Sequence, residues 1–150
     1  MNKRVLQIFL ILFTSLFINA NAKVVPIEQA RKVAKNIYYE RVNLVKEMPI
    51  QSINFTHEFI ITENELPVYY VFNVNNNEGF VIISAESNAF PIIAYSYESY
   101  YNPDKLNPGF EAEMKNYQAQ ISYIREKNLQ ADDNISSTWE KYLSSSFTKS

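Results

Sequence analysis

Cysteine is missing from this 150-residue sequence, and glycine and histidine are scarce, with two Gly and one His. Without cysteine the chain can form no disulfide, offers no thiol nucleophile and cannot be lipidated through an N-terminal Cys. Two glycines are too few for either common Gly-rich phosphate-binding loop. The single histidine, His57, has no His or Cys partner for a nucleophile–base pair, and we place it at the edge of a core.

The charge of the chain excludes further classes of function. Fourteen basic residues against sixteen acidic ones give a net charge of −2, and there is no basic patch for a phosphate backbone, so we expect no nucleic-acid partner. The carboxylates do not converge into a metal site. Three acidic pairs fit solvated surface better than acid–base catalysis: Glu63 with Glu65, Glu111 with Glu113, and Asp132 with Asp133. We therefore expect no enzymatic activity, no metal and no cofactor.

The first 22 residues have the pattern of a secretory signal peptide. Lys3 and Arg4 precede an uncharged run from Val5 to Ile18, and an Ala-x-Ala ending closes at Ala22. The run is too short and too early for a convincing membrane span. We predict cleavage after Ala22, a secreted or periplasmic protein, and no membrane association once the signal peptide is removed. The remaining residues, 23–150, have a net charge of −4 and suffice for one core.

The stretch from Pro67 to Glu98 predicts the strands around which the chain is organised. Its three short runs are rich in β-branched and aromatic residues: Val68–Val74, Gly79–Ala85 and Ile92–Tyr97. Asn75-Asn76-Asn77-Glu78-Gly79 predicts a hairpin turn, because Asn tolerates and Gly readily adopts the left-handed conformation. Such short connections favour antiparallel pairing. Since the second run is apolar on both faces, we expect a layer on each side of the sheet.

Flanking segments add a fourth strand and two helices. Alternation over Ile53–Thr62 predicts the strand. Apolar residues at three- and four-residue steps predict one helix from Pro26 to about Lys46 and another from Pro108 to about Asn128, with Asn107 as N-cap of the second. The predicted fold is α+β: a four-stranded antiparallel sheet packed with an N-terminal and a C-terminal helix.

The segment after Gln130 loses this periodicity. It is rich in Ser and has few apolar residues that could dock, so we interpret residues 131–150 as a flexible C-terminal tail. The sequence then divides into a signal peptide, residues 1–22, one domain, residues 23–130, and the tail.

Four motifs occur in a fixed order along the predicted domain. They are a tyrosine-rich strand with an Asn, Tyr70–Asn73; Gly-Phe-Val-Ile-x-Ser-Ala, Gly79–Ala85; Pro-Ile-Ile-Ala-Tyr-Ser, Pro91–Ser96; and Phe-x-x-x-Met-x-x-Tyr-x-x-Gln-Ile, Phe110–Ile121. This order resembles the propeptide of streptopain-like secreted cysteine peptidases and the related stand-alone Spi inhibitors, over about residues 26–127. The resemblance implies a secreted proteinaceous inhibitor of a streptopain-like, papain-fold cysteine peptidase, which occludes the active-site cleft.

The resemblance also implies a binding site. In the streptopain propeptide an asparagine just ahead of the last helix reaches into the peptidase active site, and Asn107 is the matching residue; Pro108 directly after it departs from the family pattern. An N-cap role would explain Asn107 equally. The predicted peptidase-binding residues, in or beside the loop Glu98–Asn107, are Tyr97, Tyr100, Tyr101, Lys105 and Asn107. Ordinary packing against the last helix would equally explain some of the tyrosines.

A streptopain-like zymogen continues into a catalytic domain with Cys and His, whereas this sequence reaches Ser150 without one. We therefore expect a propeptide made as its own product, acting on its peptidase in trans. Two other functions stay open: a folding aid for a separately encoded peptidase, or an exported binding module. Inhibition of the mature peptidase would favour the first function, and a higher refolding yield would favour the folding aid.

Overall fold

The computed structural model describes residues 23–144, so the predicted signal peptide, residues 1–22, lies outside the described part, as do residues 145–150. Four strands pair antiparallel in sequence order: β1 Phe55–Glu63, β2 Leu66–Val74, β3 Gly79–Ser84 and β4 Ile92–Ser96. The α-helices are α1 Ile27–Val42, α2 Pro108–Glu126 and α3 Asp133–Ser144, with 3₁₀ turns at Ile50–Ser52 and Pro103–Lys105. The predicted α+β fold with its antiparallel sheet is confirmed.

Helices cover both faces of the sheet, which gives the protein three layers. Alternate residues of the central strands point to opposite faces. Tyr70, Phe72, Val81 and Ile83 pack with α1 and α3, while Tyr69, Val71, Phe80 and Ile82 pack with α2. Every residue of β3 is buried, as its two apolar faces predict.

Helix α1 follows Pro26, which is its N-cap, and it ends earlier than predicted. Asn43 stops the helix because its side chain pairs with the chain beyond it. Its Nδ2 donates to Tyr39 O at 2.8 Å and to Met48 O at 3.0 Å, and its Oδ1 accepts from Met48 N at 3.0 Å. The segment between Asn43 and Met48 therefore forms a closed turn.

The β2–β3 turn lies where the sequence predicts it, but the glycine has a different role. Asn75, Asn76 and Asn77 carry the positive φ angles, 44°, 50° and 78°, whereas neither glycine has one. Gly79 begins β3, and a Cβ atom there would lie 2.4 Å from Ser96 O and 2.6 Å from the Tyr38 hydroxyl. The position needs glycine for close approach of a strand and a ring, not for left-handed backbone.

The prediction of a flexible tail is wrong for residues 133–144, which form α3. Trp139 and Tyr142 are buried, and Trp139 Nε1 donates to Ala89 O at 2.9 Å. Asn36 Nδ2 donates to Tyr142 O at 2.7 Å, which joins α3 to α1. The apolar residues of α3, Ile135, Trp139, Tyr142 and Leu143, do recur at helical steps, and Asp132 Oδ1 caps the helix by accepting from Ile135 N at 2.8 Å. The prediction of a flexible tail gave weight to the many Ser residues and missed this short amphipathic pattern.

Candidate functional site

The loop from β4 to α2 is fixed at each bend by a short polar side chain. Ser96 Oγ accepts from the backbone N–H of Glu98 at 3.2 Å and of Ser99 at 3.1 Å. Asn102 Oδ1 accepts from Asp104 N at 3.0 Å and starts the 3₁₀ turn. Such local caps replace the hydrogen bonds that a loop otherwise makes with water. These hydrogen bonds stabilise two bends of the loop Glu98–Asn107.

Tyr101 anchors the centre of this loop to the sheet. Its side chain is 5 % exposed, and its ring centroid lies 5.4 Å from that of Phe59, 6.4 Å from Phe80 and 6.3 Å from Phe110. Burial raises the pKa of the Tyr101 phenol. The alternative of ordinary packing under α2 is thus the one observed for Tyr101, and a small part of its surface lines the hollows beside the loop.

Asn73 on β2 holds the same residue through its backbone. Asn73 Nδ2 donates to Tyr101 O at 2.8 Å, and Tyr101 N donates to Asn73 Oδ1 at 2.9 Å. Asn73 itself is 2 % exposed. Asn73 is not among the residues predicted for the site, although it is a lone amide inside a strand that is otherwise apolar, which is a signal that the sequence does contain.

Three of the predicted peptidase-binding residues are exposed around one hollow. Tyr100, Lys105 and Asn107 line a concave space of about 360 Å³ whose walls include Phe80 and Phe110. Tyr100 is 46 % exposed. An apolar floor with polar and aromatic side chains at its rim is a common form of binding surface. The structure therefore brings these three residues together.

Tyr97 lies apart from this group. It is half-buried and packs against the cluster beneath α1, on the opposite side of the sheet from the anchor at Tyr101. Its ring centroid lies 6.4 Å from that of Tyr95. Tyr97 supports the start of the loop and does not line the hollow.

The two polar atoms of the Asn107 side chain, Oδ1 and Nδ2, have different surroundings. Its Oδ1 accepts from Gly109 N at 2.8 Å, which confirms the predicted N-cap of α2. No residue between 23 and 144 accepts a hydrogen bond from its Nδ2, and the side chain is exposed. Asn107 can therefore offer hydrogen-bond donors to a partner while it caps the helix.

A second hollow, of about 270 Å³, lies on the other side of Tyr100. His57, Asn77 and Asp104 line it, and His57 is exposed on edge strand β1, so its predicted place at a core edge is wrong. In the described chain no three His, Cys, Asp or Glu side chains are grouped to hold a metal ion.

A three-layer scaffold holds one exposed loop, which presents Tyr100, Lys105 and Asn107 around a hollow. Binding residues of proteins are often found on loops that a scaffold positions in this way. Comparison with family models matches residues 22–121 to the Spi protease inhibitor family, and the chain belongs to that family, which is one of protease inhibitors. The match includes α1, the sheet, the loop and most of α2, and it ends before α3.

Comparisons of the chain with curated proteins and with solved structures found no match. Among residues 23–144, no helix combines the length and the apolar character that crossing a membrane requires.

Proposed function

We propose that this protein is exported and inhibits a streptopain-like, papain-fold cysteine peptidase by seating the loop Glu98–Asn107 over the active-site cleft, as a detached propeptide would. Membership of a protease inhibitor family supports inhibition in general. The observation that carries the finer proposal is the fixed loop that presents Tyr100, Lys105 and Asn107 around one hollow. The basic and apolar pattern of residues 1–22 supports export.

The fixed loop suits reversible occlusion. A loop that is ordered by folding does not lose that conformational freedom again on binding, so more of the contact free energy appears as affinity. An interface with a peptidase would bury on the order of 1,600 Å². About half of that area lies on each partner, and about 20–30 residues a side contribute to it, so residues beside the loop Glu98–Asn107 should also contact the peptidase.

Asn107 is the residue that we assign to the active site itself. Its Oδ1 already accepts from the N–H of Gly109, whereas its Nδ2 hydrogens have no acceptor among residues 23–144, so we assign the contact with the partner to Nδ2. A cysteine peptidase active site offers acceptors for them in its sulfur, its imidazole nitrogen and nearby backbone carbonyls. Asn107 would then act by hydrogen bonding and steric block, with no covalent step.

The test is inhibition of a purified mature streptopain-like peptidase by residues 23–150, with papain as a comparison. We expect saturable and reversible loss of peptidase activity. Absence of inhibition of any such peptidase would contradict the proposal. A rise in refolding yield of the peptidase without inhibition of its mature form would instead indicate a folding aid.

Substitution of Asn107 separates its two roles. Asp caps a helix as well as Asn does, so Asn107→Asp should leave the unfolding free energy unchanged, while the lost donors should weaken inhibition by about tenfold or more. Asn107→Ala should weaken inhibition similarly and also cost about 1 kcal/mol of stability.

Asn102→Asp is the matched control, because it places the same new charge in the same loop and keeps its own cap. If Asn102→Asp weakens inhibition as much as Asn107→Asp, charge rather than the Asn107 donors is responsible. An unchanged inhibition constant in both Asn107 variants would remove Asn107 from the site.

A further inference from the structure

Asn73 is a buried polar residue that touches the proposed binding loop from inside the protein. Its side-chain amide donates one hydrogen bond of 2.8 Å to the backbone of Tyr101 and accepts one of 2.9 Å from it, and Tyr101 is 28 residues away in the chain. Polar groups buried at this depth require partners, and here each satisfies the other. The pair is the point at which the sheet and the middle of the loop are hydrogen-bonded.

We propose that Asn73 is the positioning residue of the inhibitory loop: it holds the loop Glu98–Asn107 in its binding conformation before a peptidase arrives. This inference rests on the proposed function. Because one bond runs in each direction, the pair fixes both the position and the orientation of the Tyr101 peptide unit. The Tyr101 ring packs against Phe59, Phe80 and Phe110 and holds the side chain, whereas the Asn73 amide holds the backbone of the loop.

The expected effect is on the rate of association. Without Asn73 the loop should sample several conformations, and if the competent one falls to about a tenth, the inhibition constant rises about tenfold. The contacts with the peptidase are unchanged once formed, so the dissociation rate should stay nearly constant. Asn107 variants, which lose a direct contact, should instead act mainly through faster dissociation.

The experiment compares Asn73→Ala with Asn36→Ala by association and dissociation kinetics on the peptidase. Asn36 is the matched control because it is also a buried amide, 4 % exposed, that donates to a backbone carbonyl, but on the α1–α3 side. We expect slower association for Asn73→Ala and, for Asn36→Ala, a rate within about twofold of the wild type despite its lost stability. Equal changes in the two variants, or no change in either, would overturn the proposal.

A second measurement covers the case in which Asn73→Ala does not fold. In the wild-type protein the Tyr101 amide should exchange with solvent about a hundredfold more slowly than those of Tyr100 and Asn102, because it is bonded to a buried side chain. Equally fast exchange of the three amides would overturn the proposal. A wild-type protein that protects Tyr101 but inhibits no peptidase would contradict the proposed function, which makes the two failures distinguishable.

Discussion

The Tyr38 hydroxyl is an unpaired polar group in the core. Tyr38 is 1 % exposed, and its hydroxyl has no hydrogen-bond partner among the described residues. Burial, assisted by the negative charge of Glu78, raises the pKa of Tyr38 to about 12. A buried donor without an acceptor costs free energy that an apolar ring would not.

We expect Tyr38→Phe to stabilise the protein by about 1 kcal/mol, because it removes that unpaired hydroxyl and little else. Urea unfolding measures the change. Tyr70→Phe is the matched control: the Tyr70 hydroxyl donates to Val25 O at 2.8 Å in the same cluster, so this variant should lose about 1 kcal/mol. Losses of equal size in both variants would show that the Tyr38 hydroxyl has a partner after all.

The docking of α3 depends on Glu40 of α1. Glu40 Oε2 accepts from Lys141 Nζ at 2.6 Å and Oε1 accepts from the Tyr142 hydroxyl at 2.8 Å. Partial burial opposes ionisation, but the hydrogen bonds from Lys141 and Tyr142 outweigh it and hold the pKa of Glu40 below its ordinary value of 4.5. The ionised carboxylate therefore favours the docked helix.

Acid should weaken this docking. Since the pKa of Glu40 is lower in the folded state, its stabilising contribution is complete above about pH 4.5 and is lost as the pH falls through the folded value. Trp139, the only tryptophan and 6 % exposed on α3, reports the change by a red shift of its fluorescence on release. We expect Glu40→Gln to remove this pH-dependent part of the transition.

Glu140→Gln is the control, since Glu140 is an exposed carboxylate on α3 itself. It should leave the acid transition of Trp139 nearly unchanged. If the Glu40 and Glu140 variants behave alike, general charge and not the Glu40 contacts governs the docking of α3.

The helices and strands that the sequence predicts are those with a clear period and clear ends. The four strands and α2 follow directly from alternation, from turn residues and from Pro108 after its cap. Helix α3 was not predicted from the sequence, because its apolar residues are few and are separated by Ser. The sequence could place Tyr100 and Tyr101 in one loop, but it could not show which ring is exposed, because Phe59, Phe80 and Phe110 meet around Tyr101 only in the folded chain.

In the whole molecule, the proposed binding loop and a buried ion pair lie at opposite ends of β3. The loop meets the sheet near Gly79 and Phe80, where β3 begins. At the other end of β3, Arg125 of α2 donates from Nε to Glu86 Oε2 at 3.0 Å and from Nη2 to Pro67 O at 2.7 Å. Glu86 is 1 % exposed, so the ion pair joins α2 to two strand ends in a buried site.

We therefore expect Arg125→Met to destabilise the protein by about 3–5 kcal/mol, since it leaves the Glu86 carboxylate buried without its cation. The double variant Arg125→Met with Glu86→Gln should recover part of this loss, because no buried charge remains. Urea unfolding at low temperature measures the free energy of unfolding of both variants.

At a temperature where each variant is folded, its inhibition constant should stay within about twofold of the wild-type value, because the ion pair and the loop share no contact. Asn107→Asp should show the reverse, with the free energy of unfolding kept and inhibition weakened. An inhibition constant that rises in step with lost stability in the Arg125 variants would mean that α2 transmits disorder from one end of β3 to the other, and that the loop depends on the whole scaffold rather than on its own anchors.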